Sequence, residues 1–588
     1  MSKVRQLIKH RLRQHLKHRV CQPLKRRLRQ PTQRRVPQFI GYRVRQLIEH
    51  KDRQTMKHKA RQSTRDHVHS PLVQDSKLDT EVVLLPPKQK YVTLSYVCGP
   101  AVSLPAASFP RNGEKRAHKL ESMDFPLTVK DAIHVAQQIG HRYLWVDSYC
   151  IPQGDAEQKR IAILNMNKVY SGSELTIMAL EGANIRAGLP GVSSCSRSGG
   201  IKQFVMPGAE MVGTLPHFTD VVQQSIWASR AWCYQEARLS RRCLFFTKYQ
   251  VYFSCQEETR SEALEDQTQP PTDSRQLEIE GLTPRTFLPS DIYKVKGMFL
   301  DRLVYTQKSF TYQNDALNAF RGLLARSPYT TFWGVPVTRQ GLELDPHVQF
   351  AMGLLWYRLP VVRESRYLSK RRAGFPTWSW TSVTGAISQI DPDNVERSHY
   401  RNFLAEQSRW QFSPVVNVPG RLSPSFQVEV STSSQVMSLK DLLNLHASAG
   451  DTVLPETTKS LTIHGDIVTF RRSSPPDSRY IYYSYQNNSE NPSDESRVQS
   501  RVLLQCAFDT DAAEEDFPEQ EHNLQDALVL VEWCDNAPVG RIQFILMLIK
   551  WVDEHTAERI GILRNYSTST TLDFTRSLPR RRKRFQLR

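Results

Sequence analysis

Residues 144–180 constrain the fold of this chain most, because they read as strand, helix, strand. Residues 143–151 are a short apolar run rich in β-forming types, and residues 175–180 are a second apolar run. Between them, apolar residues recur at helical spacing over 157–170. This order predicts two parallel strands joined by a crossover helix. Asp147 is expected in the carboxyl half of the first strand, the edge where ligands gather in open sheets.

Three further segments extend this unit into an α/β domain with an open sheet. Residues 91–99 read as a strand that ends in a glycine turn. Residues 128–140 read as a helix, with Thr128 and Asp131 at the spacing of a capping box. Residues 232–239 predict another helix, which two more strands follow.

Composition and pattern divide the chain into five parts. They are a basic octad repeat over 1–70, an α/β domain over 85–257, a mostly helical region over 258–400, a β-rich C-terminal region over 401–575, and a basic tail over 576–588.

The net charge of +20 lies at the two ends of the chain. Residues 1–70 hold 21 Lys and Arg against three acids, and residues 576–588 hold seven basic residues and no acid. In the repeat, an apolar residue recurs at nearly every fourth position, so on a helix these residues would not share one face. Three prolines also interrupt any long helix there. We expect this segment to be disordered. We expect an expanded repeat without a partner, and the alternative is a basic arm that binds nucleic acid or an acidic membrane surface.

The nine cysteines indicate a reducing, intracellular environment. None forms a C-x-x-C pair or lies beside a histidine cluster, so neither a disulfide framework nor a metal site is predicted. The apolar run 542–549 is too short to cross a bilayer. We expect a soluble, cytoplasmic protein, with nuclear import through the basic run 580–584 as an alternative.

Three ordered motifs resemble the fungal heterokaryon incompatibility (HET) domain. They are YVTLSYVCG at 91–99, LWVDSYCIPQGDAEQKRIAILNMNKVYSGSELTIMAL at 144–180, and SRAWCYQEARLSRRCLFF at 229–246. The last is similar to the family pattern R-x-W-x-x-Q-E-x-x-L-S-x-R. With FPTWSW at 375–380, the resemblance covers roughly residues 85–390. Cys98 departs from it, because the family pattern has a tryptophan there.

This resemblance implies a signalling effector of fungal non-self recognition and programmed cell death. It also implies another incompatibility or receptor protein as partner, and self-association. The HET domain has been likened to TIR domains, which have a flavodoxin-like sheet and can cleave NAD. Through that likeness, the W-C-x-x-E run that ends at Glu236 implies a catalytic glutamate, with NAD as substrate.

The candidate site therefore consists of one catalytic residue and five ligand-binding residues. They are Glu236, and then Ser95, Tyr96, Asp147, Arg230 and Trp232. A buried carboxylate would stabilise the ribosyl cation as nicotinamide leaves, and Arg230 or a helix N-terminus would bind the pyrophosphate. Three of the six residues have an alternative role: Glu236 in an ion pair with Arg230, Arg238 or Arg241, Asp147 as a cap, and Trp232 as a core aromatic.

Overall fold

The structure is a computed structural model, and it describes somewhat more than half of the chain. The described residues are 72–75, 81–99, 116–119, 125–197, 203–206, 209–212, 215–255, 259–262, 291–339, 345–359, 369–389, 423–424, 426–432, 435–447, 453–456, 458–473, 481–485, 500–510, 524–534, 542–565 and 580–588. The predictions for residues 1–70 lie outside them.

A nine-stranded mixed sheet forms the N-terminal half. In chain order, the strands of this half are β1 (Leu72–Asp75), β2 (Glu81–Leu84), β3 (Tyr91–Ser95), β4 (Arg116–Lys119), β5 (Tyr143–Trp145), β6 (Leu175–Ala179), β7 (Gln203–Met206), β8 (Ala209–Val212), β9 (Arg242–Phe246), β10 (Val251–Cys255) and β11 (Thr259–Ser261). The spatial order is β11-β10-β9-β6-β3-β5-β1-β2-β4, while β7 and β8 form a separate hairpin.

The centre of this sheet is parallel and its two sides are antiparallel. Strands β5, β3, β6 and β9 pair in parallel, whereas β10 and β1 pair antiparallel with β9 and β5. The tight turn at 247–250 can join only antiparallel strands. The mixed α/β class is confirmed, but a flavodoxin- or TIR-like topology is not, because antiparallel strands flank a parallel centre of four.

Helices cover both faces of the parallel centre. They are α1 (Leu127–Gln138), α2 (Asp147–Cys150), α3 (Ala156–Leu164), α4 (Met166–Gly172), α5 (Phe218–Gln223), α6 (Ile226–Ser229) and α7 (Ala231–Leu239). The chain crosses from β3 to β5 in one direction and from β5 to β6 and β6 to β9 in the other. With the usual right-handed crossover, α1 lies on one face of the sheet and α4 and α7 on the other. Helices α4 and α7 pack together, and α7 contacts β3.

Two local predictions were wrong in detail. The strand expected over 143–151 ends at Trp145, because the amide of Cys150 donates to the Val146 carbonyl at 2.8 Å and closes a helical turn. Asp147 therefore begins helix α2 and does not lie in a strand. The helix expected over 157–170 is broken at Asn165 into α3 and α4.

The capping box expected at the start of α1 is also absent. Helix α1 has no side-chain cap, and its N-cap residue is Pro126. Thr128 and Asp131 instead accept hydrogen bonds from the amides of Gly188 and Leu189, at 3.0 and 2.8 Å. Both side chains are buried, so they hold the loop that follows β6 against α1.

The middle region combines helices with hairpins. Its elements are α8 (Asp291–Tyr305), α9 (Asn318–Arg326), β12 (Tyr329–Phe332), β13 (Val335–Arg339), α10 (Pro346–Gly353), β14 (Trp356–Arg358) and β15 (Ile387–Gln389). Strand β12 pairs with β13, and β14 pairs with β15. The aromatic turn FPTWSW fills this core, since Trp378 and Trp380 are both fully buried.

The C-terminal region is β-rich, as predicted. Its elements are β16 (Ser423–Pro424), β17 (Phe426–Ser431), β18 (Val436–Ser438), α11 (Leu439–Ala447), β19 (Leu461–Ser473), β20 (Ile481–Tyr485), β21 (Ser500–Phe508), β22 (Leu524–Cys534), β23 (Ile542–Trp551), β24 (Thr556–Asn565) and β25 (Arg580–Leu587). Pairing runs from β19 through β22, β23, β24 and β25 back to β19, which closes a five-stranded barrel.

Strand β25 consists of residues that the sequence assigned to a basic tail. All eight residues pair with β19, and alternation along the strand buries Phe585 and Leu587 in the barrel. The exposed arginines meet acids of nearby strands, and these pairs are Arg581–Asp526, Arg582–Asp466 and Arg584–Glu429. The pairing neutralises much of the charge that suggested a nucleic-acid or membrane contact at this end.

No helix in the described residues combines the length and the apolar character that a membrane span requires.

We expect Phe585→Ala to destabilise the barrel, because the Phe585 ring is buried and lies 5.1 Å from the Trp551 ring. The free energy of unfolding should fall by about 3 to 5 kcal/mol. The midpoint of chemical denaturation, followed by circular dichroism, measures it. As a control from the same strand, Arg584→Ala removes a 62 % exposed ion-pair partner and should change the free energy by less than about 1 kcal/mol. Equal effects would contradict the role of β25 as a barrel strand.

Candidate functional site

The centre of the site is a buried hydrogen bond between strand β3 and helix α7. Ser95 is the last residue of β3, and its Oγ donates to Oε2 of Glu236. The indole Nε1 of Trp227 donates to the same Ser95 Oγ at 2.7 Å. Ser95 is 1 % exposed and Glu236 6 % exposed, so this part of the site is almost closed to solvent. The parallel strands end here, which makes it the carboxyl edge of the sheet.

A second group of polar residues lies beside this centre and is more open to solvent. The Tyr96 hydroxyl is 2.7 Å from Asp147 Oδ1 and 2.9 Å from Ser148 Oγ. Asp147 Oδ1 also accepts a hydrogen bond from the Ser148 amide at 2.7 Å. Arg230 Nη1 donates to the Tyr96 carbonyl at 3.3 Å. Asp147, Ser148 and Arg230 are partly exposed, so they form the mouth of the site.

The structure brings together five of the six residues that the sequence selected. Trp232 is the exception, because its indole Nε1 donates to Oδ2 of Asp315, in the region beyond α7, at 3.1 Å. The sequence analysis selected Trp232 because it belongs to the W-C-x-x-E run that resembles a TIR segment. The ion pair proposed as an alternative for Glu236 is not formed with Arg238, whose partner is Asp301.

A family model described as "Heterokaryon incompatibility protein (HET)" matches residues 91–236. The match begins at the first residue of β3, ends at Glu236, and includes every residue of the centre and the mouth. The chain carries a HET domain. No curated protein and no solved structure matches the chain significantly.

Burial raises the pKa of Glu236 to about 7. The hydrogen bond from Ser95 opposes this rise, the negative charge of Asp147 adds to it, and Arg230 and Tyr170 oppose it. The folded protein therefore holds this carboxyl in both protonation states near neutral pH. A carboxyl with such a pKa can accept or donate a proton under physiological conditions.

Burial also raises the pKa of Asp147, although hydrogen bonds from Tyr96 and the Ser148 amide and the charge of Arg230 lower it. The pKa of Tyr96 lies well above its ordinary value, because the hydroxyl is buried and faces Asp147. Tyr96 therefore stays protonated and donates a hydrogen bond at the mouth. Arg230 supplies the positive charge there, which suits an anionic group of a ligand.

Sequence reasoning missed two aromatic residues of the HET site. Trp227 bonds to Ser95 and is fully buried, and it lies just before the third motif. Tyr170 donates to the Leu94 carbonyl at 3.3 Å, and its hydroxyl lowers the pKa of Glu236. Tyr170 is the last residue of the helix predicted in the second motif, and this position was the signal that could have identified it as a site residue.

Metal ligands do not cluster in the HET site. Over the residues that the structure describes, no group of three or more His, Cys, Asp or Glu is placed to hold a metal ion.

We expect Glu236→Gln to remove a pH-dependent loss of stability. The folded state keeps the Glu236 proton up to a pH of about 7, whereas the unfolded chain releases it near 4.5. Because the folded state then binds more protons, stability falls as pH rises through this window. Between pH 5 and pH 8 the wild type should lose about 3 kcal/mol more than Glu236→Gln. Chemical denaturation at both pH values measures the difference.

Glu174→Gln is the matched control for this measurement. Although burial acts to raise the pKa of Glu174, Lys90 and Arg242 hold it below its ordinary value. Glu174 is therefore ionised in both folded and unfolded states above pH 5, and its replacement should leave the slope between pH 5 and 8 unchanged. A wild-type slope in Glu236→Gln would contradict the raised pKa.

Proposed function

We propose that this chain is an intracellular effector of heterokaryon incompatibility, and that its HET domain triggers programmed cell death after non-self recognition. The match of residues 91–236 to the HET family carries this proposal. The partner would be another incompatibility or receptor protein, and the active form would be self-associated. The HET domain contains the polar site at the carboxyl edge of its sheet, so we place the effector activity there.

The second candidate function is hydrolysis of NAD by this site, as the likeness to TIR domains implies. The observation that favours it is that Glu236 is buried and hydrogen-bonded to Ser95, next to the more exposed mouth of the site, which contains Arg230 and Asp147. An enzyme that cleaves NAD needs a carboxylate near the ribose and a cation for the pyrophosphate. The site offers one of each.

In this reaction the bond between C1′ of the ribose and the nicotinamide nitrogen breaks, and nicotinamide leaves with the electron pair. The ionised carboxylate of Glu236 would stabilise the positive charge that develops on the ribosyl centre. A water molecule then adds to C1′ and loses a proton to Glu236, which gives ADP-ribose and nicotinamide. Ser95 and Trp227 would keep the carboxylate oriented, because Trp227 fixes Ser95 and Ser95 fixes Glu236.

The alternative is that the basic ends, residues 1–70 and 576–588, bind nucleic acid or an acidic membrane surface. In strand β25, Arg581, Arg582 and Arg584 pair with acids of nearby strands, which reduces the charge that this end offers to such a partner.

Incubation of the full chain with NAD tests the enzymatic candidate through the release of nicotinamide. We expect Glu236→Gln to lower kcat by at least about 100-fold, because the group that stabilises the ribosyl cation is lost. Since the ionised form is the active one, the wild-type rate should rise with pH up to about 7 and then level off. Glu174→Gln, at the opposite edge of the sheet, should keep the rate within about twofold. No release by the wild type, or equal release by Glu236→Gln, would reject NAD cleavage.

Induced expression in fungal cells tests the effector role, with viability as the readout. We expect the wild type and Glu174→Gln to kill the cells, and Glu236→Gln to leave them viable if NAD cleavage is the trigger. If Glu236→Gln also kills the cells, the effector role stands and NAD cleavage is rejected as the trigger. Survival of cells that express the wild type at the same level would contradict the effector role itself.

A further inference from the structure

Helix α7 is enclosed by two different parts of the chain. All of its residues except Trp232 are buried. One face carries Glu236 and points to the carboxyl end of β3. The other face carries Tyr234 and Arg238, and it contacts residues 291–339, which lie outside the segment that matches the HET family. The region that follows the HET domain is therefore part of the framework of the site.

Asp301 of α8 supplies the charged contact on this outer face. Its Oδ1 accepts hydrogen bonds from the Tyr234 hydroxyl at 2.6 Å and from Arg238 Nε at 2.8 Å, and Arg238 Nη2 lies 2.7 Å away. The side chains of Arg238 and Asp301 are 3 % and 7 % exposed. Both charges are buried and each meets the other directly, so loss of this ion pair is costly and the contact favours one position of α7.

A backbone approach adds a second contact on the same face. The Gly322 amide in α9 donates to Gln235 Oε1 at 2.8 Å. A Cβ at Gly322 would lie 2.8 Å from that Oε1 and 2.6 Å from the Asn167 Cβ. Glycine therefore allows α9 to approach α7 and α4 closely enough for this bond.

The amino end of α7 is held by the backbone of the same region. The Ser309 amide donates to the Ser229 carbonyl at 2.7 Å, and the Ala231 amide donates to the Ser309 carbonyl at 3.0 Å. These two bonds flank Arg230, the cation at the mouth of the site. Residues 291–339 thus hold both the segment with Arg230 and the helix with Glu236.

We propose that Asp301 is a positioning residue of the HET site: it holds α7 where Glu236 meets Ser95, and so makes residues 291–339 the part of the chain through which the site is regulated. The regulatory part of this proposal rests on the proposed function of the site. The structural part, that Asp301 sets the position of Glu236, does not depend on that function and can be tested without any substrate.

The environment of Glu236 reports on this position. The titratable and charged groups that act on its ionisation are Asp147, Arg230, Tyr170 and Cys233. Asp301 contacts the opposite face of the helix, so its replacement changes the ionisation of Glu236 by moving α7. If α7 shifts outward, water reaches the carboxylate, and its pKa falls toward the ordinary value.

The test measures the stability of the full chain at pH 5 and pH 8, with and without Glu236→Gln, in three backgrounds: wild type, Asp301→Asn and Asp509→Asn. Asp509 is the matched control because it is also a buried aspartate paired with a buried arginine, Arg559, but it lies between the middle region and the barrel. We expect Asp301→Asn to reduce the pH-dependent effect of Glu236→Gln by at least about half. Asp509→Asn should leave that effect unchanged, although it also destabilises the chain.

Amide hydrogen exchange over residues 229–239 provides an independent measurement. We expect at least about tenfold faster exchange in Asp301→Asn, wild-type exchange in Asp509→Asn, and recovery in Asp301→Glu, which restores the charge. If Asp301→Asn does not fold, Tyr234→Phe removes one hydrogen bond to Asp301 and should speed exchange about fivefold.

The two aspartate variants decide the outcome together. The proposal is overturned if Asp301→Asn exchanges at the wild-type rate and shows the wild-type pH-dependent effect of Glu236→Gln. It is also overturned if Asp509→Asn changes both quantities as much as Asp301→Asn does. Absence of NAD cleavage by the wild type would reject the enzymatic candidate and leave this test intact.

Discussion

The hydrogen bond between Ser95 and Glu236 is the interaction on which the arrangement of this HET domain depends. It joins the end of the central strand β3 to helix α7, and the two bonded residues are 141 positions apart in the sequence. A carboxyl that is 6 % exposed is unfavourable to ionise, and the rise of its pKa to about 7 expresses that penalty. A fold retains such a group at a loss of stability, and acids of this kind concentrate where a protein carries out chemistry.

The position of this acid depends on more than the HET domain. Helix α7 has nine residues, which is too short to be stable alone, so its place is fixed by packing on both faces. Asp301 provides a charge partner on the outer face, and Ser95 provides a hydrogen-bond partner on the inner face. The middle region is in turn joined to the barrel by buried Arg559, whose guanidinium lies 3.4 Å from the centre of the Trp356 ring and pairs with Asp509. Contacts between buried groups thus connect the site to the barrel.

Strand β25 shows that a run of basic residues can be part of a barrel. Five consecutive basic residues suggest a free terminus that binds nucleic acid or directs nuclear import. The alternation of Phe585 and Leu587 is only a two-residue signal, too short to predict a strand by itself. Its partner, β19, begins more than a hundred residues earlier, so the pairing that closes the barrel is visible only in the tertiary structure.

The sequence by itself determined the mixed α/β class, the HET motifs and most of the candidate site. These features depend on local patterns: apolar runs, helical spacing, and residue types at fixed intervals within three segments. Only the tertiary structure decided that Glu236 bonds to Ser95, that Trp232 turns to Asp315, and that Trp227 completes the centre. Those contacts join segments that are distant in sequence, and burial, which exists only in the folded state, sets the proton affinity of the acid.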